Sequence, residues 1–352
     1  MKLLIKLNHP AHYHLFKNLV RILKSENIDV LIVIKNKDIL QDLLDSEGIP
    51  YIKIIESVER KFGSKISIIK ANLIELIKQD IELYKIVKKE KPDLMFGTDI
   101  AIAHVGWLLK IPSYIFNEDD YSVNKLFCSF TYPFCSYIVS PSVCDVGKYS
   151  KKKIEYNGYQ KLAYLHPYFF SPKKEIVEKY LPLNNKFFLL RLVSFTAGHD
   201  IEKKHSGITL ELMSKLINTL LKHGDVYITS EKELHPAFIK YKLIIDPKDI
   251  HHILAYSDLF ISDSQSMTVE AAMLGTSSIR FNTFVGKISV LNELEQKYKL
   301  TFGISNEYPE LLIKKVEQLL NQENLKKEFI DRRNQMLLDK ISLTDFMVSL
   351  VK

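Results

Sequence analysis

The sequence lacks several features that secreted and membrane-spanning proteins need. Its three cysteines, Cys128, Cys135 and Cys144, are odd in number and form no Cys-x-x-Cys pair. Such a set favours reduced thiols over a disulfide framework or a zinc site. No apolar run approaches the ~20 residues that span a bilayer. The first residues, MKLLIKLNHP, carry a lysine where a signal peptide has its apolar stretch. We therefore expect a cytoplasmic protein.

Positive charge is also modest for a chain of this size. The formal net charge is +7 over 352 residues. Basic runs such as residues 151–153 are not interleaved with aromatic residues, and they match no known nucleic-acid-binding motif. Nucleic acid is therefore not an expected partner. With 46% hydrophobic and 26% charged residues, the composition is that of an ordinary globular protein.

Strand-like and helix-like segments alternate along the whole chain. Strands are predicted at residues 2–7, 29–34 and 51–55 with helices between them, and the alternation resumes at residue 187. This is the pattern of doubly wound α/β sheets, and the length predicts two domains. Residues 147–172 have no clear period and are predicted to form the linker. The predicted domains are therefore residues 1–168 and 169–352.

The most informative stretch is DLFISDSQSMTVEAAMLGTSSIRFN, at residues 258–282. An apolar run ends in a polar cluster, helix-forming residues follow, and Gly275 precedes a second β-prone run. The stretch predicts a strand–helix–strand unit with a tight loop before the helix. Unpaired backbone N–H groups and the helix dipole make such a helix start favourable for an anion.

Glu270 lies about one turn inside that predicted helix. Its carboxylate could accept hydrogen bonds from the 2′ and 3′ hydroxyls of a ribose. A phosphate at the helix start and a ribose one turn deeper describe a nucleotide. The alternative is structural: Ser266 would be an ordinary N-cap, and Glu270 would be a surface acid that the helix dipole favours.

Three motifs place this chain beside a known family. They are NHPAHYHLFKNL at residues 8–19, SDSQSMTVEAAMLG at residues 262–275 and FNTFVGK at residues 281–287. Together they resemble a family of predicted GT-B glycosyltransferases. The resemblance implies an α/β GT-B fold, in which two Rossmann-like doubly wound domains face a central cleft and the final helix crosses back to the first domain. It also implies an enzyme that uses neither a metal nor another cofactor.

The resemblance further implies that the second domain binds a nucleotide-sugar donor, which we expect to be UDP-linked. Glu270 would hold the ribose, the helix starting near Ser266 would hold the diphosphate, and the segment around Ile250 would hold the base. Arg191, His199 or Lys287 could neutralise the diphosphate. The predicted substrate-binding residues are Arg191, His199, Ile250, Ser264, Gln265, Ser266, Met267, Thr268, Glu270 and Lys287.

The predicted catalytic residues His12, Asp99, Glu118 and Asp119 all belong to the first domain. Three histidines lie in the loop after the first strand, but without an HExxH motif or a nearby cysteine they do not predict zinc. His12 is the best match to a cleft-facing histidine of the lipid-linked N-acetylglucosaminyltransferase of peptidoglycan synthesis, which the chain resembles in this loop. The glycines that flank that histidine are absent here, so His9 and His14 stay open as alternatives. Adjacent carboxylates raise the pKa of at least one of them, as a general base needs. The base stays open among His12, Glu118 and Asp119.

These expectations describe a glycosyltransferase that moves a sugar to a surface-glycan or lipid-linked acceptor, with inversion or retention left open. Two alternatives also stay open. UDP-N-acetylglucosamine 2-epimerases share this fold, and Asp99, Glu118 and His199 match their acids and histidine in position. Their Gly-rich donor loop with paired acids is absent here. The other alternative is a non-catalytic nucleotide-sugar binder.

An anionic membrane surface is a further expected partner, which would place the protein at the inner face of the membrane. The predicted helix at residues 66–89 has an apolar face flanked by lysines, and residues 126–134 add aromatics in the same domain. Apolar residues rimmed by lysines are typical of a peripheral docking patch. The alternative is that the helix is buried against the sheet and that the aromatics belong to the core.

Overall fold

The computed structural model describes residues 1–36, 40–56, 65–193, 208–230 and 233–352. Contacts divide the chain into two compact units. Unit 1 comprises Met1–Tyr164 together with Ile341–Lys352, and unit 2 comprises Leu165–Lys340. Each unit is a parallel sheet with helices packed on it, which confirms the predicted α/β class.

Unit 1 is built around a sheet of short, mostly apolar strands. They are β1 (Lys2–Leu7), β2 (Asp29–Asn36), β3 (Tyr51–Glu56), β4 (Leu94–Gly97), β5 (Ser113–Phe116), β6 (Tyr137–Pro141) and β7 (Lys153–Tyr156). Its helices up to the unit boundary are α1 (Pro10–Ser25), α2 (Leu40–Ser46), α3 (Lys65–Glu90), α4 (Ile100–Leu109), α5 (Lys125–Thr131) and α6 (Leu162–Leu165). The strand order among the described residues is β3-β2-β1-β4-β5-β6-β7. It reverses between β1 and β4, and the carboxyl ends of strands at such a point are where ligands bind in open α/β sheets.

Unit 2 repeats this architecture with fewer strands. Its helices are α7 (Lys174–Val177), α8 (Leu210–Leu220), α9 (Ile250–Tyr256), α10 (Gln265–Leu274), α11 (Ser289–Gln296), α12 (Pro309–Leu320) and α13 (Leu325–Asp339). Its strands are β8 (Phe187–Leu192), β9 (Asp225–Ser230), β10 (Leu259–Ser262), β11 (Ser278–Phe281) and β12 (Phe302–Ile304). Within the described ranges their order is β12-β11-β10-β8-β9, and all pairings are parallel.

The last helix, α14 (Leu343–Val351), belongs to unit 1 although it follows unit 2 in the chain. The Thr344 hydroxyl donates a hydrogen bond to the carbonyl of Ala163 at 2.8 Å. The rings of Tyr156 and Phe346 lie 5.6 Å apart. Leu343 and Met347 are fully buried, so the apolar face of this helix completes the core of unit 1.

Two secondary-structure predictions were wrong at short segments. Residues 147–172 are not a featureless linker, because they contain a 3₁₀ helix at Gly147–Lys152 and the edge strand β7, which pairs with β6. The four residues of β7, KIEY, are too few and too polar to show a strand period. Residues 242–246, KLIID, have the apolar content that predicts a strand, but in the structure only an isolated bridge joins Lys242 to Ile228.

Helix α3 is only partly buried. Leu83 and Val87 are buried against the unit 1 sheet, whereas Ile74, Ile77 and Ile81 are 48–54% exposed. The alternative of a fully buried helix is therefore wrong. Within the described ranges, no helix combines the length and the apolar content that crossing a membrane requires. The cysteines are free thiols in the core of unit 1, as expected, and burial raises the pKa of each.

Candidate active site

The predicted catalytic residues of unit 1 all lie at the carboxyl edge of three adjacent strands. β1, β4 and β5 are neighbours in the sheet. His12 lies in the first turn of α1 after β1, Asp99 is the N-cap of α4 after β4, and the pair Glu118–Asp119 follows β5. The sequence separates these residues by up to about 100 positions, but the parallel sheet brings their loops to one edge. The contacts of each side chain then distinguish their chemistry.

Asp99 is neutralised by a buried lysine. Lys6, on β1, is fully buried, and its ammonium group donates to Asp99, to Oδ1 of Asn8 at 2.9 Å and to Oε1 of Gln79 at 3.0 Å. Burial lowers the pKa of Lys6, but three acceptors around three N–H donors match the ammonium form. Asp99 also accepts from Asn8 Nδ2 and caps α4 through Ile102 N. A carboxylate held by this many donors is suited to fixing the loops after β1 and β4.

The contacts of His12 favour a hydrogen-bond donor over a base. Its Nδ1 accepts from the backbone N–H of Asn8 at 3.2 Å. A neutral imidazole that accepts at Nδ1 carries its proton on Nε2. The Thr98 hydroxyl lies 2.8 Å from that Nε2. The proton on Nε2 is therefore donated to the Thr98 hydroxyl, whose oxygen also lies 2.9 Å from Nδ1.

Glu118 and Asp119 are adjacent carboxylates in different environments. Glu118 is paired with the buried ammonium group of Lys161 and accepts from Gln160 N at 3.2 Å. Burial, followed by the charge of Glu118, raises the pKa of Asp119 above the ordinary 3.8. A raised carboxyl pKa is what a general base near neutral pH needs. Asp119 is therefore the strongest candidate for a base among the described acids of this edge.

In unit 2 the N-cap of the helix in the most informative stretch lies two residues before the N-cap considered from the sequence. The N-cap is Ser264, whose hydroxyl accepts from Met267 N at 3.3 Å, and α10 starts at Gln265. Ser266 is therefore not the cap; its side chain is exposed in the first turn. The Thr268 hydroxyl is buried and donates to the Ser264 carbonyl at 2.7 Å. Gly275 closes the helix at φ 74°, as predicted.

Glu270 is a buried residue, contrary to the surface-acid alternative. It is 9% exposed, and its Oε1 lies 3.4 Å from Nε2 of His251 on α9. Ile250 is the first residue of the same helix α9. The ring of Phe170 lies 4.8 Å from His252 and 6.1 Å from His251. The residues predicted to hold ribose and base therefore lie on two helices in contact, beside an aromatic ring.

The basic residues predicted for the diphosphate lie apart in the structure. Arg191 is on β8, in register with Ser262 at the end of β10, and so stands next to the start of α10. Lys287 follows β11 and is exposed, with its ammonium group 6.0 Å from the Phe284 ring centroid. His199 lies outside the described residues. No three His, Cys, Asp or Glu side chains in the described part of the chain are grouped as a metal site requires.

Comparison with known proteins identifies the family. The profile of the family described as protein of unknown function DUF354 matches residues 1–339. The chain belongs to this family. This confirms the sequence resemblance, whereas a comparison with curated proteins gives no match.

Solved structures confirm the GT-B fold. The chain is similar to the UDP-N-acetylglucosamine 2-epimerase from Neisseria meningitidis bound to UDP-GlcNAc, with a TM-score of 0.70, 14% identity and 100% of both chains covered. It is also similar to MurG from Acinetobacter baumannii, with a TM-score of 0.59, 13% identity and 99% of each chain covered. For a glycosyltransferase from Rickettsia africae ESF-5 the TM-score is 0.60 at 17% identity, over 99% of this chain and 96% of that chain.

Sequence reasoning missed the partners that decide the state of each acid in this DUF354 chain. Lys6 and Asp99 are 93 residues apart, and Lys161 and Glu118 are 43 apart. One signal for Lys6 was available, since a lysine inside the apolar run KLLIKL needs a buried partner. No comparable signal exists for Lys161, because its segment shows no strand or helix period.

Proposed function

We propose that the protein is a glycosyltransferase that moves a sugar from a UDP-linked donor to a surface-glycan or lipid-linked acceptor. The observation that carries this proposal is the position of Glu270. Its carboxylate is buried one turn inside the helix that follows β10, beside His251. A buried carboxylate at this depth suits the two hydroxyls of a ribose. The diphosphate then falls at the start of α10, where backbone N–H groups are unpaired within the helix.

The other donor contacts follow from this placement. The backbone of Gln265 and Ser266 in the first turn of α10 would bind the diphosphate, with Arg191 at the neighbouring strand end. The base would lie against α9 near Ile250 and the ring of Phe170. We favour uridine because the Neisseria meningitidis enzyme of the same fold is bound to UDP-GlcNAc.

Unit 1 would supply the acceptor chemistry. Asp119 would take the proton of the acceptor hydroxyl, since burial raises the pKa of its carboxyl. His12 would donate a hydrogen bond from Nε2 to a substrate oxygen that displaces the Thr98 hydroxyl. Asp99 and Glu118 would hold the loops in place through Lys6 and Lys161.

A UDP-N-acetylglucosamine 2-epimerase is the second candidate, because the TM-score to the epimerase is 0.70 against 0.59 and 0.60 for the two transferases. An epimerase would require its acids to exchange a proton with the sugar. Asp99 and Glu118, which match those acids in position, are each paired with a buried lysine. This pairing favours the transferase.

Thermal-shift measurements over UDP-, GDP-, CMP- and dTDP-sugars test the donor. Binding to the native state raises the melting temperature, by an amount that grows with ligand concentration over Kd. We expect UDP-sugars to give the largest shift and uridine alone a smaller one. A larger shift with another nucleotide would contradict the assignment of the base, and no shift with any of the four would contradict the donor site.

We also propose that the acceptor is reached at an anionic membrane surface. Helices α3, α4 and α5 expose large apolar side chains on unit 1, a surface we name the α3–α5 face. These side chains are Leu73, Ile74, Ile77, Ile81, Trp107, Leu108, Leu126 and Phe130. Exposed lysines on the same helices and just beyond them are Lys70, Lys78, Lys85, Lys88, Lys89, Lys110 and Lys125. This combination suits an anionic bilayer, whereas two copies meeting through this face would bring like charges together.

Co-sedimentation with vesicles tests the α3–α5 face. The wild type should bind vesicles that contain phosphatidylserine and should lose this binding at high salt. The triple variant Lys85→Glu/Lys88→Glu/Lys89→Glu should bind these vesicles less than the wild type does. A matched control changes Lys240, Lys242 and Lys248 of unit 2 to Glu, which should leave binding intact. Equal recovery with neutral and anionic vesicles, or a dimer in solution that Trp107→Ser dissociates, would contradict membrane docking.

A further inference from the structure

Arg280 is a fully buried arginine that the proposed donor contacts do not use. It lies on β11, is 1% exposed, and is in register with Ser262 on β10 and Gly303 on β12. Ser262 is in turn in register with Arg191 on β8. Residues in register on parallel strands point to the same face of a sheet, so the two arginines flank Ser262 on one face. The opposite face carries the apolar core that the sheet forms with α8 and α12.

The hydrogen-bonding capacity of Arg280 is largely unused. Its Nε and Nη1 are buried and have no hydrogen-bond partner among the described residues. Burial lowers the pKa of Arg280 to about 10, with the charge of Glu295 acting in the opposite direction, so the guanidinium is charged at neutral pH. A buried charge with unsatisfied donors is strongly unfavourable. Buried donors such as Nε and Nη1 of Arg280 are normally hydrogen-bonded, and a bound ligand or ion could supply the acceptor.

The surroundings of Arg280 explain why Glu295 does not accept hydrogen bonds from the whole guanidinium. A Cβ at Gly303 would lie 3.1 Å from Nη2 of Arg280 and 2.9 Å from Oε2 of Glu295, so the glycine makes room for both groups. Oε1 of Glu295 accepts from the backbone N–H of Gly303 at 3.0 Å. The carboxylate is thus partly engaged by the sheet edge, on the Nη2 side of the guanidinium.

The loop after β11 packs beside this position and leads back to the start of α10. Cγ1 of Val285, in the FNTFVGK motif, lies 2.9 Å from the Cβ position at Gly303. At the other end of this loop, Asn282 Nδ2 donates to the carbonyl of Asp263 at 3.1 Å, in the turn before α10. An anion at the start of α10 would therefore lie beside the loop that packs next to Gly303 and Arg280.

We propose that Arg280 binds an anionic oxygen group of the donor when the loop after β11 moves aside. This group is either a phosphate of the diphosphate or a carboxylate on the transferred sugar, because a guanidinium recognises both. The proposal rests on the proposed nucleotide-sugar site and extends it to a second strand end. It makes Arg280 a ligand-binding residue that unit 2 retains at a cost in stability.

Arg280→Met separates this role from a structural one by the sign of its effect. Without ligand, R280M should melt at or above the temperature of the wild type, because an apolar side chain replaces an unsatisfied charge. If Arg280 instead stabilises unit 2 through Glu295, R280M should melt lower. The matched control is Arg333→Met, since Nε of Arg333 donates to the Met273 carbonyl at 2.7 Å in the same unit. R333M should melt lower and bind ligands as the wild type does.

Binding measurements with four probes identify the anionic group. If Arg280 binds the diphosphate, R280M should bind UDP, UDP-glucose and UDP-glucuronic acid at least about tenfold more weakly than the wild type does, because a charge-assisted hydrogen bond is lost. It should bind uridine as well as the wild type does. If it binds a sugar carboxylate, only UDP-glucuronic acid should weaken. Unchanged binding of all four probes by R280M, or by the neutral R280Q if R280M does not fold, would overturn the proposal.

A separate result would show that the donor site itself is wrong. If the wild type binds none of the UDP-, GDP-, CMP- and dTDP-sugars, the proposed donor site fails. Inorganic pyrophosphate then tests Arg280 by itself: a melting-temperature increase in the wild type that R280M loses supports an anion site, and equal behaviour of the two proteins overturns it.

Discussion

Removing the Glu270 carboxylate and removing the ribose hydroxyls should have the same effect on nucleotide binding. Glu270 is 9% exposed, and its Oε1 lies 3.4 Å from Nε2 of His251. A hydrogen bond to such a charged group contributes about 1.5–3 kcal/mol. At about 1.4 kcal/mol per factor of ten in Kd, its loss corresponds to roughly 10- to 150-fold weaker binding.

The perturbation is Glu270→Ala, combined with the ligand pair UDP and 2′,3′-dideoxy-UDP. Isothermal titration calorimetry gives the four dissociation constants. The wild type should bind dideoxy-UDP more weakly than UDP by the factor above. E270A should bind both ligands with the same weak affinity, because the carboxylate that distinguishes them is absent.

Glu293→Ala is the matched control for loss of an acid in unit 2. Both oxygens of Glu293 accept from Nζ of Lys340 at 2.9 Å, so this variant should lose stability but keep the preference for UDP over dideoxy-UDP. The reasoning is refuted if E270A retains that preference. E270A that melts lower while it binds UDP like the wild type would identify Glu270 as a structural partner of His251.

Three further predictions concern unit 1. Asp119→Asn should lower kcat by about 10²–10⁴-fold with donor affinity unchanged, and a decrease in kcat of less than about tenfold contradicts this role. The acid limb of the wild-type pH profile should lie above 3.8, because a base with a raised pKa loses activity as pH falls through that pKa. Lys6→Met should lower the free energy of unfolding in urea by about 3–5 kcal/mol, because it leaves the Asp99 carboxylate without its buried cation. Adding Asp99→Asn should restore part of this lost stability, and a double variant that is no more stable than Lys6→Met contradicts the pairing. His104→Asn should destabilise the protein near pH 6 more than at pH 9. Asp80 raises the pKa of His104, so the stabilisation from this ion pair is lost as pH rises through the raised pKa. Equal destabilisation at both pH values contradicts this role of the pair.

The sequence predicted the elements that have a long or strongly apolar pattern. Strands such as β1 and β10 are mostly apolar, α3 has apolar residues near helical spacing, and Gly275 marks the end of α10 in the left-handed conformation. These features depend on neighbours in the chain, so local reasoning finds them. The position of Glu270 one turn inside α10 follows in the same way.

Features that depend on tertiary pairing could not be predicted. The edge strand β7 has four residues and is defined by its bonds to β6. The ranking of Asp99, Glu118 and Asp119 as bases depends on which carboxylate meets a buried lysine, and both lysines are distant in sequence. The unsatisfied guanidinium of Arg280 follows from burial between β12 and α11, which no local pattern in SSIRF indicates.

The most direct test of the central claim is analysis of the nucleotide products formed from UDP-sugars. The purified protein is incubated with a panel of UDP-sugars, with and without a glycan and lipid-linked acceptor fraction, and the nucleotides are separated by ion-exchange chromatography. A glycosyltransferase should release UDP from one of these sugars only when the acceptor is present, and E270A should release far less. Conversion of UDP-N-acetylglucosamine to its 2-epimer or to a 2-elimination product without acceptor would contradict the transferase and establish the epimerase.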